Sequence, residues 1–388
     1  MNINVWLLFL CQALVGASAI GQVSMSALVG HTLAIDKTLA TLPYALQMTA
    51  TMAASIPAGI VFGRLGRKTG FMLGGVTTLI GTVLFGIGVW RGDFLIYCLG
   101  SIPMGAGFGI GQHYRFAAAE VAAPAARSRA IALVMAGGLV SSLIGPEIVK
   151  GTKEWLPPLV FLGTYVVLTL VPVIGMVLLW FVKLPPAPTR EVSPTPLLEI
   201  MARPTFVVSA VAGLVGYGAM NLIMAATPLQ MMLCGFGVDD STDVIRWHSM
   251  AMFAPGFITG PLIQRIGQHR VICLGGVLSM GCVGLSFAGA EYVYFVGALM
   301  LLGVGWNFMF VGATSLLATS HSPAERVRAQ AANDFIVFGT VAVTAFTSGA
   351  LHHGLGWGAV NGAVVPPILV AIGLVLWHRA RVGRLVVA

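Results

Sequence analysis

The sequence predicts an all-α membrane protein of twelve transmembrane helices, arranged as two pseudo-symmetric six-helix halves. Three observations carry that expectation. Of 388 residues, 57% are apolar and 9% are charged, with a mean hydropathy of +0.91, whereas a soluble domain carries about 25% charged residues. Apolar runs of about 20 residues, long enough to cross a bilayer core, recur roughly every 30 residues along the chain. Finally, residues near positions 60 and 125 reappear about 200 positions later, the mark of an internal repeat.

The first six runs are 5–29, 40–62, 70–90, 94–117, 130–150 and 158–182. The second six are 206–233, 245–264, 271–290, 292–317, 332–350 and 358–378. No Lys or Arg precedes the first run, so it reads as a retained helix rather than a leader peptide. An even number of spans places both termini on one side. If that side is the cytoplasm, only Lys37, Arg91, Lys150, Lys153 and Arg246 of the 21 Lys and Arg residues lie outside. Basic residues near span ends are retained inside during insertion, so the expectation is a multi-pass protein of the bacterial inner membrane with cytoplasmic termini. The formal charge of +8 then belongs to membrane topology, and nucleic acid is not a partner. The 49 glycines suit helices packed closely in lipid. Cys11, Cys98, Cys234, Cys273 and Cys282 form no CxxC pair, which excludes a disulfide framework and a structural zinc site.

The longest polar break, Lys183 to Pro204, holds Pro185, Pro186, Pro188, Pro194, Pro196 and Pro204, the composition of a stiff linker. It divides the chain into a first half, 1–182, a cytoplasmic linker, 183–204, and a second half, 205–388. Gly59, Arg64, Gly66, Gly74 and Gly75 recur 201 residues on as Gly260, Arg265, Gly267, Gly275 and Gly276. Pro124, Arg127, Arg129 and Ala130 recur 199 residues on as Pro323, Arg326, Arg328 and Ala329. Paired six-helix halves are the build of secondary transporters that rock around a midplane site; a scaffold or an enzyme has no need of them. Gly66-Arg67-Lys68-Thr69 lacks the Gly before Lys and the preceding strand of a phosphate loop, which excludes an ATPase.

The segment Gly59-Ile60-Val61-Phe62-Gly63-Arg64-Leu65-Gly66-Arg67-Lys68 resembles the loop between helices 2 and 3 of the major facilitator superfamily, and the resemblance covers essentially the whole chain. It implies gating loops built on Arg64, Arg67, Lys68 and Arg265, with Arg127, Arg129, Arg326 and Arg328 in the second repeat. The family pattern has an Asp before its first Arg; here Gly63 and Gln264 stand instead. Glu120, Glu325 and Asp334 are the replacement partners expected for Arg64, Arg67 or Arg328.

Ionisable groups inside a bilayer are costly, so each is a functional candidate. Glu147, near the outer end of the fifth span, and Asp334 are the candidate coupling carboxylates. Soft ligands form a second set. Residues four apart share a helix face, so Met220 with Met224, and His248 with Met252, each present two groups in one direction. Thioether and imidazole suit Cu(I) without burying a bare carboxylate. Chance alone supplies about 0.8 Met pairs and about 0.4 His-to-Met pairs at this spacing in such a chain, and Met also fills packing gaps. MxxxM followed by HxxxM resembles the bacterial copper importers that serve cbb-type oxidase assembly, and their riboflavin-transporting relatives share the build. That resemblance implies copper import through Met220, Met224, His248 and Met252, with copper as cargo and no resident cofactor. Met48, Met52 and Cys234, with His352 and His353, are candidate extensions of the path.

The alternative cargo, riboflavin or a similar metabolite, needs an aromatic face and amide or hydroxyl partners. Trp306, Asn307, Tyr217 and Asn221 are its candidate site, with Gln22 and Gln47 in the first half. Drug or metabolite export matches least: of an export-type GxxxGPxxGG motif, Ser141, Gly145, Pro146, Val149 and Lys150 retain only the centre. The remaining partners expected are the lipid bilayer and no second subunit, the protein acting as a monomer.

Overall fold

The computed structural model describes residues 2–36, 39, 42–185 and 195–387. Lys37, Arg190 and linker residues 186–194, including Pro186, Pro188 and Pro194, lie outside them, as does the side chain of His353. The described residues are helical, without strand.

In the first half run α1 (Ile3–Leu33), α2 (Leu42–Arg91), α3 (Phe94–Gly111), α4 (Tyr114–Val121), α5 (Arg127–Thr152) and α6 (Leu162–Phe181). The short α7 (Leu197–Ala202) precedes α8 (Pro204–Leu233), α9 (Val238–Phe253), α10 (Gly256–Ile266), α11 (Gln268–Ala288), α12 (Tyr292–Thr319), α13 (Pro323–Ala363) and α14 (Val365–Val387). Ten stretches are individually long and apolar enough to cross a membrane. One of them is α2, whose 50 residues rise about 75 Å, more than twice a hydrocarbon core of about 30 Å. It breaks at Gly66, where φ is 82°, and so supplies two spans. The α9–α10 pair, interrupted at Ala254–Pro255, supplies the other missing span.

Helix ends depart from the apolar runs where capping outweighs hydropathy. Asp93 starts α3 by accepting from the Ile96 amide at 3.0 Å, as N-cap carboxylates do. Proline at the first position starts α8. Helix α13 begins at Pro323, nine residues before the expected 332, because Glu325, Arg326 and Arg328 are helical although polar. The eighth span likewise begins at Val238 rather than 245, with Asp240 bonding back to the Gly237 amide at 2.9 Å.

The chain divides into two compact units, Met1–Pro124 with Gly137–Val192, and Ala125–Ala136 with Ser193–Ala388. The start of α5 thus belongs to the second unit, where its Arg129 backbone closes on Gly260 of α10. Within each unit the repeat has a packing reason. A Cβ on Gly107 would collide with Thr78 and Gly74, and one on Gly305 with Ser279 and Gly275. Positions 74 and 78 correspond to 275 and 279 under the 201-residue shift, so glycine lets the same helix pair approach closely in both units.

Candidate functional site

In the second unit, α8, α9, α12 and α13 bring aromatic rings together. Tyr217 on α8 meets Trp306 edge-on at 5.4 Å between centroids, Phe310 at 5.2 Å and Phe338 at 5.8 Å. Trp306 stacks on Phe310 at 5.3 Å, with 18° between planes, and meets Phe253 at 5.7 Å. Trp306 and Phe310 are four apart on α12 and share its face. Each such pair contributes about 0.5–1.5 kcal/mol beyond area burial. Trp306 is 1% exposed, and its indole Nε1 has no hydrogen-bond partner. A buried tryptophan normally finds one, so this donor is open.

Asn307 is committed elsewhere: it accepts from Thr259 Oγ1 at 2.6 Å and donates to the Met252 carbonyl at 2.6 Å, tying α12 to α9 and α10. Asn221 donates to the Val341 carbonyl and Thr344 Oγ1 of α13 at 3.2 and 3.0 Å.

His248 is fully buried on α9, with Nδ1 2.7 Å from the Leu299 carbonyl of α12. A carbonyl only accepts, so Nδ1 carries the proton and Nε2 of the neutral ring is an acceptor; Nε2 has no partner. Helix α12 comes this close because residue 303 is glycine, where a Cβ would stand 2.7 Å from the His248 carbonyl oxygen. Met252, one turn on, is buried, as is Met220 on α8, while Met224 is half-buried. Among the described residues no three of His, Cys, Asp and Glu cluster in a way that could hold a metal ion.

The remaining candidates spread over both units. Met48 and Met52 are half-buried on α2. Cys234 is exposed at the end of α8 and accepts from Gln230 Nε2 at 3.3 Å, while Gln230 Oε1 lies 2.9 Å from His352 Nε2. Glu147 is exposed and pairs with Lys150 at 3.3 Å. Asp334 is fully buried on α13, one turn before Phe338, and accepts from Asn333 Nδ2 at 3.1 Å. In the first unit Gln22 is engaged: it accepts from Tyr165 Oη at 2.6 Å and donates to Tyr97 Oη at 3.4 Å, and the two phenols lie 2.7 Å apart. Gln47 is fully buried with both amide atoms unbonded.

The Arg-rich turns hold asymmetric contacts. Arg67 donates twice to Glu120, at 2.7 and 2.6 Å, as expected for a replacement partner. Glu325 does not pair with Arg64, Arg67 or Arg328. It takes two bonds from Arg203 at 2.8 Å, and that carboxylate holds the Arg203 guanidinium above its ordinary pKa. Arg328 instead donates to the Thr195 carbonyl at 2.9 Å, and Arg326 to that of His321 at 3.4 Å. Lys68 bonds the Trp180 carbonyl at 2.7 Å. Arg64, Arg129 and Arg265 are exposed, and Arg127 is half-buried.

The expected Trp306 and Tyr217 are brought together, whereas Asn307 and Asn221 serve helix packing. Phe253, Phe310 and Phe338 were missed. The signal for Phe310 was its four-residue spacing from Trp306; nothing in one sequence pairs Phe338 with them.

Comparison with known proteins adds to this geometry. The family description of the Major Facilitator Superfamily matches residues 8–254. The chain is 37% identical over 381 residues to a protein named riboflavin transporter RfnT from Brucella anthropi, covering 96% of this chain and 95% of that one. Among solved structures it resembles the Escherichia coli fucose:proton symporter FucP, with a TM-score of 0.76, 15% identity and 98% of each chain covered. It also resembles a bacterial homologue of the iron transporter ferroportin, with a TM-score of 0.79, 13% identity and coverage of 98% and 100%. At such identities these two likenesses concern the fold alone.

Proposed function

Because the chain belongs to the Major Facilitator Superfamily and is a multi-pass secondary transporter, we propose that it takes up riboflavin or a closely similar flavin by alternating access. The observation that carries this reading is the 37% identity, over 96% of the chain, to a protein named a riboflavin transporter. The second-unit aromatic cluster supplies suitable chemistry. A flat isoalloxazine ring gains most from stacking against large rings, with a few placed polar groups for orientation. Tyr217, Trp306, Phe310, Phe253 and Phe338 provide the rings. The open Trp306 Nε1 provides a polar donor matched to a ring carbonyl or a ribityl hydroxyl.

Copper import rests on the Met and His spacing alone, and no relative named above is described as carrying copper. Met220 and Met252 are buried as packing methionines are.

The test is uptake. A riboflavin auxotroph carrying this chain should grow at external riboflavin too low for the parent and should accumulate labelled riboflavin, with cell copper unchanged. Copper that rises, and falls again in Met224→Ala, without riboflavin uptake would reverse the reading.

A further inference from the structure

We infer that His248 is the specificity-determining residue of this transporter, its Nε2 accepting a hydrogen bond from a donor group of the flavin. The inference rests on the riboflavin reading above and goes beyond it, because stacking alone cannot choose among flat heterocycles.

The argument starts from the unpaired atom. His248 is fully buried, its Nδ1 proton is taken by the Leu299 carbonyl at 2.7 Å, and Nε2 is left as a lone-pair acceptor with no partner. Leaving a buried acceptor unmade is costly, and a donor brought by the substrate offsets that cost. The bond to Leu299 also fixes the ring, because the carbonyl holds one edge of the imidazole and so sets where the other edge stands.

Position supplies the second support. Leu299 and Trp306 are seven residues apart on α12, which returns them to nearly the same face, about 10 Å apart along the axis. The two helices run parallel here. His248 meets Leu299 and Gly303, Met252 meets Gly303 and Asn307, and Phe253 meets Trp306. His248 therefore stands two turns along the same stripe as the tryptophan, a separation of the order of a fused tricyclic ring. A flavin stacked at Trp306 and lying along α12 brings a polar edge toward His248. That edge carries either the imide N3–H or a ribityl O–H, and both are donors that an acceptor-only nitrogen recognises.

The experiment measures competition against labelled riboflavin uptake by three flavins: riboflavin, its N3-methyl derivative and lumiflavin, which lacks the ribityl chain. In the unaltered protein, one of the two analogues should need roughly tenfold or more higher concentration than riboflavin, as sites built around a hydrogen bond reject ligands that lack it. Which analogue is penalised identifies the donor. His248→Asn can still bond Leu299 but no longer reaches the Nε2 position, so the penalty should shrink to about onefold. His248→Gln places an amide oxygen near that position and should restore part of it. Since selectivity is a ratio, a variant that inserts poorly still reports it, and the Asn and Gln variants control for each other.

Equal inhibition by all three flavins in the unaltered protein overturns the inference while leaving riboflavin transport standing. So does a penalty that survives in both variants, or copper accumulation lost in His248→Asn with flavin selectivity intact. A chain that moves no riboflavin at all overturns the transport reading, and the inference falls with it.

Discussion

Each unit buries a cluster of aromatic and polar side chains, and the two clusters are finished differently. In the first unit Tyr97, Tyr165 and Gln22 satisfy one another across α3, α6 and α1, around Phe85, which meets the two tyrosine rings at 4.8 and 5.5 Å. In the second, Tyr217, Trp306, Phe310, Phe253 and Phe338 gather just as closely, yet Trp306 Nε1 and the nearby His248 Nε2 stay open. A closed network rigidifies a scaffold, whereas open buried donors and acceptors are poised for something outside the protein. On the proposed reading the first cluster packs and the second binds; the first unit also keeps buried polar atoms without a partner at Gln12, Ser18, Gln47 and Ser101.

The largest effect that tests this division comes from Trp306. Trp306→Ala should lower riboflavin uptake at least about 30-fold, the scale of losing a central aromatic anchor, with the protein still inserted. Tyr165→Phe should act oppositely. It removes the hydroxyl that joins Tyr97 to Gln22, costs about 1–2 kcal/mol of stability in thermal unfolding, and leaves the riboflavin concentration for half-maximal uptake within about twofold. Equal loss of affinity in the two variants would erase the distinction.

A second contrast lies at the Arg-rich turns. Gly66 and Gly267, 201 residues apart, share one backbone conformation, with φ of 82° and 85°, a region glycine enters at little cost. The residues after them differ. Arg67 grips Glu120 bidentately, with the side chains 5% and 17% exposed. At the equivalent positions Gln268 donates to Thr319 Oγ1 at 3.1 Å. The same helix junction is thus closed by an ion pair in one unit and by a neutral hydrogen bond in the other. Arg67→Ala leaves a largely buried carboxylate without its two bonds and should cost about 2–3 kcal/mol in thermal unfolding. The double change Arg67→Gln with Glu120→Thr copies the second unit and should recover all but about 1 kcal/mol. Failure to recover would mean that the charge itself matters, as in a latch that opens and closes during transport.

The architecture was legible because bilayer thickness dictates span length and the repeat lies in unmistakable glycines and arginines. Less legible were the ends of α9 and α13, since Asp240, Glu325 and Arg328 are polar yet helical, and hydropathy reports lipid contact rather than backbone conformation. At the site, Trp306 and Tyr217 were readable as flat aromatic groups within apolar runs. Asn307 and Asn221 looked equivalent to them, but their amides are spent on neighbouring helices, and only three-dimensional contacts reveal that. The two open nitrogens, on Trp306 and His248, were invisible for the same reason: one sequence does not say which polar atoms lack a partner.

The smallest expected effect concerns the carboxylates. Glu147 of the first unit and Asp334 of the second both sit in helices that cross the membrane, and the sequence alone treats them alike. Their surroundings separate them, because the Glu147 side chain is 71% exposed beside a Lys150 that is 61% exposed, whereas Asp334 is wholly buried. An exposed ion pair of this kind contributes about 0–1 kcal/mol. Glu147→Gln should therefore leave riboflavin uptake within about twofold and its dependence on external pH unchanged. If uptake collapses in Glu147→Gln, or its pH dependence disappears, then the exposed carboxylate of the first unit drives the cycle, and the first unit is more than a scaffold for the second.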